Sequence, residues 1–166
     1  METMKGWHFV GDTLRDGTPV PADGVWLKHQ GPLVLCKSGL HWSREPFDAL
    51  TYAPGKILCE IEARGETLHD KDKSVSRERR VIRRMDATEM LRFFARHCAL
   101  SFIHLYPNGT TDAVFDYLMT GDARAAAVAA RAAAVAARAA AGAAARAAAV
   151  AAQREYFNQL VNECFR

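Results

Sequence analysis

Of the 31 residues from Asp122 to Ala152, 22 are Ala, and no other feature constrains the chain as much. Ala is the strongest helix former and adds little area to a core, so the tract predicts an extended helix rather than a packed domain. Only Gly142 interrupts it, Asp122 stands where a cap is needed, and the pattern carries on to about Cys164. A helix of about 40 residues is about 60 Å long. Along it stand Arg124, Arg131, Arg138, Arg146 and Arg154, with Val128, Val135, Gly142 and Val150 each four residues after an Arg. That spacing keeps the stripe nearly in line on a straight or weakly right-handed helix. Small side chains let helix axes approach closely, which points to self-association; a single solvated helix kept soluble by its Arg stripe is the alternative.

A hydrophobic core must therefore come from upstream. Residues 1–121 hold 16 basic and 16 acidic side chains, while 122–166 hold 6 and 3, so the excess of positive charge lies in the tail. A balanced body disfavours nucleic acid as a partner. No run of 18 strongly apolar residues occurs, and the first residues lack the basic-then-apolar layout of a signal peptide, so a cytoplasmic chain without membrane contact is expected. Cys36, Cys59, Cys98 and Cys164 are scattered singly, which disfavours a zinc ribbon or disulfide scaffold.

The first seventy or so residues read as short strands between turns: Gly6–Val10, Val25–Leu27, Leu33–Cys36 and Ile57–Ala63, with Asp16-Gly17 and Asp23-Gly24 as turns. In the last of these strands, Ile57, Cys59, Ile61 and Ala63 share one face; Lys56, Leu58, Glu60 and Glu62 share the other. Ser43 to Tyr52 reads as a short helix closed by Pro54-Gly55. Asp86 and Glu89 suggest a capping box before Met90, Leu91, Phe94 and Cys98. Thr111–Met119 reads as a further helix presenting Val114, Tyr117 and Leu118. The fold class expected is α+β: a small N-terminal mixed sheet with short helices, then the long Ala-rich helix. The domains expected are 1–121, a ligand-binding body, and 122–166, an oligomerisation element.

The most site-like stretch runs from Leu35 to Ser43, where Gly39 permits an unusual backbone and His41, Trp42 and Ser43 follow directly. Trp7 and His8 lie in an aromatic-rich first strand. With Tyr52, these residues suggest a stacking pocket for a small molecule. Arg79 and Arg80, in the mixed-charge run Ser76 to Arg80, would receive phosphates if the run borders that pocket; otherwise it is a solvated face. Cys36, His41 and Cys59 lack a clear fourth metal ligand, so no metal is assigned.

Lys5-Gly6-Trp7-His8-Phe9, Leu35-Cys36-Lys37-Ser38-Gly39-Leu40-His41 and Pro46 through Gly55 resemble, over roughly residues 4–121, a domain of tailed phages and prophages that often precedes Ala- and Arg-rich tails. The resemblance implies a phage accessory protein but no chemistry. Gly39 through Ile61 is also similar to the second motif region of compact ADP-ribosyltransferases. That likeness implies that His8 grips the nicotinamide-side ribose and that His41 or Trp42 stacks on nicotinamide. The catalytic Glu it requires would fall near Lys73-Ser74-Val75, where no carboxylate stands; Glu78, Asp70 and Asp72 flank the place.

Three functions are thus expected in contention. The first is a homo-oligomeric binding module that holds a nucleotide-like or NAD-derived molecule and sequesters it, in the setting of host defence. The second is an ADP-ribose-transferring enzyme. The third is a structural or partner-binding protein acting through its C-terminal helix.

Overall fold

The computed structural model describes residues 2–14, 16–101, 112–121 and 143–166. Its elements are β1 (Met4–Val10), β2 (Leu27–Lys28), β3 (Leu40–Trp42), α1 (Pro46–Thr51), β4 (Ile57–His69), β5 (Ser74–Asp86), α2 (Thr88–Ser101), α3 (Asp112–Thr120) and α4 (Ala143–Cys164). The chain is α+β, as its sequence implies. The sheet is antiparallel in every pairing rather than mixed. A parallel pair needs a crossover of a dozen or more residues, whereas β4 and β5 are joined by a tight turn in which Asp70 N–H donates to the Lys73 carbonyl at 2.8 Å.

β4 and β5 are each 13 residues long and form the frame of the sheet. β1 pairs with β4 on one side; β2 and β3 pair with β5 on the other. The sheet then curls until its ends meet, because Trp7 and Ser43 exchange backbone hydrogen bonds of 2.8 and 2.9 Å. Two irregularities in the β4–β5 ladder, at Glu60/Ile61 and Arg64/Thr67, supply the bend. At the second, Gly65 has φ +78°, the left-handed conformation a bulge of this kind asks of glycine.

The two faces of the hairpin differ in chemistry. One carries Cys59, Ile61 and Ala63, which join Val10, Trp42 and Val81 in the core. The other carries a ladder of ion pairs: Glu60 with Arg83 at 2.7 Å, Glu62 with Arg80 at 2.6 Å, and Glu78 with Arg64 at 2.7 Å. The charged run from Ser76 is therefore a strand, with its charges matched across the ladder. Trp26 lies against this ladder, with the Arg64 and Arg80 guanidinium carbons 4.0 and 4.7 Å from its ring centre. Leu58, on the face opposite Cys59 and Ile61, is fully buried, and Phe157, Val161 and Phe165 add further buried side chains to the same compact unit.

Other expectations shift locally. Leu33–Cys36 is not a strand but enters a turn, with a bridge between Val34 and Ser38 and Cys36 at φ +66°. The strand expected at Val25–Leu27 is confined to Leu27–Lys28. Ser43 does not cap α1; it is engaged with Trp7, and the helix starts at Pro46. Asp86 does lead into α2, its Oδ1 accepting from Thr88 N–H at 2.9 Å, but Glu89 turns to Arg92 instead of completing a capping box.

The described residues fall into two compact units, Met1–Thr88 with Phe157–Arg166, and Glu89–Tyr156. This division differs from a cut at Gly121 because the last ten residues belong with the sheet. In the second unit Phe94 and His97 stack on Tyr156, with ring centres 6.3 and 4.0 Å apart, and Val114 and Leu118 of α3 pack against Ala99 and Leu100. The expected rod from Asp122 is present as α4 from Ala143; residues 122–142, Gly142 included, lie outside the described residues. Among the described residues no helix is long and apolar enough to cross a membrane.

The closure of the sheet depends on one small residue. A Cβ on Gly6 would sit 2.3 Å from the Trp42 ring and 2.6 Å from the Ser43 carbonyl, at the seam itself. Backbone there cannot retreat without losing the Trp7–Ser43 bonds. We expect Gly6→Ala to cost about 1–3 kcal/mol, measured as a lower urea midpoint at unchanged slope. A midpoint equal to the parent's would mean that the seam is loosely packed.

Candidate functional site

Curling brings together residues that are far apart in the chain. His8 on β1 and Cys59 on β4 are register partners, Arg79 enters from β5, and His41 comes from β3. Alternation along β4 and β5 places Arg79 on the apolar face with Ala63, and its neighbours Glu78 and Arg80 on the ion-pair face. Arg79 is only 5 % exposed, and its Nη1 donates to the His41 carbonyl. Among the described residues it has no carboxylate partner.

The electrostatics follow from burial. Desolvation pushes the Arg79 guanidinium down to about 10, so it is still a cation at neutral pH. The Cys59 thiol is pushed up to about 11 by burial, against the pull of Arg84 and Arg79, and is neutral. His8, half-buried, is held well below its ordinary value, first by desolvation, then by the Arg79 charge and by His41. Arg79 is therefore the fixed charge of a cluster otherwise made of apolar side chains, a thiol and imidazoles. A guanidinium is a forked donor, the kind of group from which the oxygens of an anion accept.

The space against Arg79 is small. A cavity of about 10 Å³, roughly one water's worth, is bordered by Arg79, Val81, Leu27, Leu14, Val20 and Val25. The segment between β1 and β2 covers it, tied down by Gly24 N–H to the Val81 carbonyl at 2.7 Å and by Asp23 to Arg84. A larger groove of about 310 Å³ opens at the end of β1, between Gly11, Pro19, Ile57 and Met85, away from the aromatic residues expected to form a pocket.

Those aromatic residues do not converge. Trp42 is 3 % exposed and part of the core, with its Nε1 donating to Ser76 Oγ at 2.7 Å. Trp7 packs edge-on against Phe165, ring centres 5.1 Å apart. Tyr52 is 47 % exposed at the end of α1, its hydroxyl donating to Asp72 at 2.6 Å, a bond that raises its pKa. Gly39 takes φ +112° and gives passage to the Val75 and Leu33 side chains, so its role is to seat β3. Ser43 is the closure of the sheet, and Arg80 is bound to Glu62 and Trp26. Among the expected site residues, His8, His41 and Arg79 are brought together; a five-residue aromatic pocket is not.

The carboxylates required for ADP-ribose transfer are also placed elsewhere. Glu78, on the face opposite Arg79, is held by Arg64 at 2.7 Å and Lys28 at 3.5 Å, and Arg64 keeps its carboxyl below the usual range. Asp70 and Asp72 stand at the hairpin tip with Lys73 and Tyr52. Among the described residues no three His, Cys, Asp or Glu side chains are grouped to hold a metal ion.

A family model, a domain of unknown function designated DUF7666, matches residues 4–93, more than half of the chain. The chain belongs to this family. No curated protein and no solved structure matches it. The DUF7666 span contains all five strands, α1, and the His8–His41–Arg79 cluster, and it ends inside α2. The closing residues 157–166 lie outside it.

Sequence reasoning named Arg79 for its charge but had no signal for its burial, which depends on the face alternation of an unrecognised strand. Cys59, read as a core residue, proves to be the cross-strand neighbour of His8.

The cluster makes a pH-dependent contribution to stability with a definite sign. The unfolded chain protonates His8 near its ordinary 6.5, whereas the folded chain does so only at lower pH. Stability from a neutral His8 is complete above that value and falls as pH drops below it, by up to about 1.4 kcal/mol per pH unit. Urea unfolding at pH 7.5, 6.5 and 5.5 should show a shallower acid loss for His8→Gln than for the parent. Identical slopes would place His8 in a water-like setting.

Proposed function

We propose that the domain binds, and by binding sequesters, an anionic nucleotide-like small molecule of the NAD-derived kind, with Arg79 receiving a phosphate. The observation that carries this reading is a guanidinium 5 % exposed that, among the described residues, has one backbone carbonyl as its polar partner and no carboxylate beside it. Removing a cation from water costs several kcal/mol, and a neutral residue would hold the same place more cheaply. The cover over Arg79, residues 16–26, would have to lift for a ligand larger than water to reach it.

The likeness to phage and prophage domains with Ala- and Arg-rich tails supports a setting in which a phage accessory protein removes a host signalling nucleotide. The Ala-rich helix fits a homo-oligomerising role in that reading. Transfer of ADP-ribose has less support, because Glu78 faces away from the cluster. A role confined to the C-terminal helix does not account for a cation buried in the sheet.

Calorimetric titration of NAD, ADP-ribose and inorganic pyrophosphate into the full chain tests the reading. Arg79→Met should weaken binding by about 10–100-fold, the worth of a charge-assisted hydrogen bond or two. It should leave unfolding stability equal or higher, as when a buried charge gives way to an apolar side chain. Absence of binding by all three, or a Met variant that binds like the parent, would remove the proposal. Release of nicotinamide from NAD would replace it with the transferase reading.

A further inference from the structure

The sheet unit is completed by a segment outside the family domain. Phe157 and Val161 have no exposed surface and Phe165 is nearly buried, at a spacing of four residues that sets all three on one face of the C-terminal segment. Phe157 meets Phe47 edge-on with ring centres 6.0 Å apart; Phe165 meets Trp7, with the Arg83 guanidinium 5.1 Å from its ring. Between them, the Asn158 carboxamide is read at both ends. Its Oδ1 accepts from Phe47 N–H at 3.0 Å, and its Nδ2 donates to Glu45 at 2.9 Å. Trp7, Glu45, Phe47 and Arg83 all belong to residues 4–93, and the occupant does not. The groove thus recognises an apolar helix face together with one carboxamide, a combination with both shape and polar specificity.

We propose that this groove is a helix-recognition site of the domain, and that it accepts in exchange the same C-terminal segment of a second copy. The second copy carries the one sequence already known to satisfy every contact, so the exchange creates and loses no interface. Residues 157–166 contribute no strand, so their release leaves the sheet hydrogen bonds in place. The segment rejoins its unit only after the whole of residues 89–156, which form the second unit. Long tethers lower the effective concentration of their own end, which lets a neighbouring copy compete. The Ala and Arg repeat that precedes the segment is the element expected to bring copies side by side.

The test uses full-length chains bearing two different affinity tags, with Cys36, Cys98 and Cys164 replaced by Ser. One carries Glu45→Cys, the other Asn158→Cys, and the mixture is mildly oxidised. A disulfide-linked heterodimer bearing both tags is expected. Its absence, with both variants folded and present at about 1 mM, a concentration like that of a tethered end, would overturn the proposal. If either variant fails to fold, tagged chains of native sequence answer the question by the rate at which mixed complexes appear. Exchange is limited by release of the segment, so Asn158→Asp, which sets two carboxylates together, should speed it about tenfold. Adding Glu45→Gln restores a donor and should slow it again. No mixed complexes from the native sequence, or a rate indifferent to Asn158→Asp, would also overturn it.

Discussion

The long ladder between Ile57–His69 and Ser74–Asp86 is the constraint on which the sheet unit depends. Every other strand is attached to one of its two edges, and its two irregularities bend it far enough for Trp7 to meet Ser43. Because the pleat alternates, the same ladder separates two kinds of surface. Carboxylates and guanidinium groups pair on one side, and on the other a core forms that encloses Arg79. Each exposed pair contributes little alone, about 0–1 kcal/mol, but a row of them makes a highly charged segment compatible with a strand.

Arg79 is the exception within that order. A solvated surface arginine would cost nothing to keep, whereas this one is enclosed beside His8, Cys59 and the His41 backbone. Its bond to the His41 carbonyl ties β3 to β5, a structural benefit of about 1–3 kcal/mol. That is less than the several kcal/mol of desolvation it offsets. That imbalance supports the proposal that Arg79 receives an anion; the aromatic rings, packed into the core or against Phe165, lend it no such support.

The sequence revealed those elements whose hydrophobic period matched a single buried face. Cys59, Ile61 and Ala63 were legible from alternation; Met90 and Phe94, and then Val114 and Leu118, from helical spacing. β5 was not legible, because a run holding Arg77, Glu78, Arg79 and Arg80 looks solvated until its partners on β4 are known. Long-range pairing, not local propensity, decides such a strand. The burial of Leu58 was not legible either, because alternation assigns its face but not what covers that face. The aromatic pocket failed because Trp42 and Trp7 were grouped by chemistry, while the curl of the sheet sends one into the core and the other toward Phe165. His8, His41 and Arg79 were each named from sequence, but their meeting was a consequence of topology.

The central claim is that the buried charge of Arg79 is a receptor for an anion. The Nε–Hε resonance of Arg79, assigned in the parent by comparison with Arg79→Lys, reports on it most directly. The account predicts that millimolar inorganic pyrophosphate or ADP-ribose shifts this signal and slows exchange of its proton with water, while the Arg80 and Arg83 signals change little. An Arg79 resonance unmoved by either anion, in a protein whose other signals show it folded, would contradict the claim.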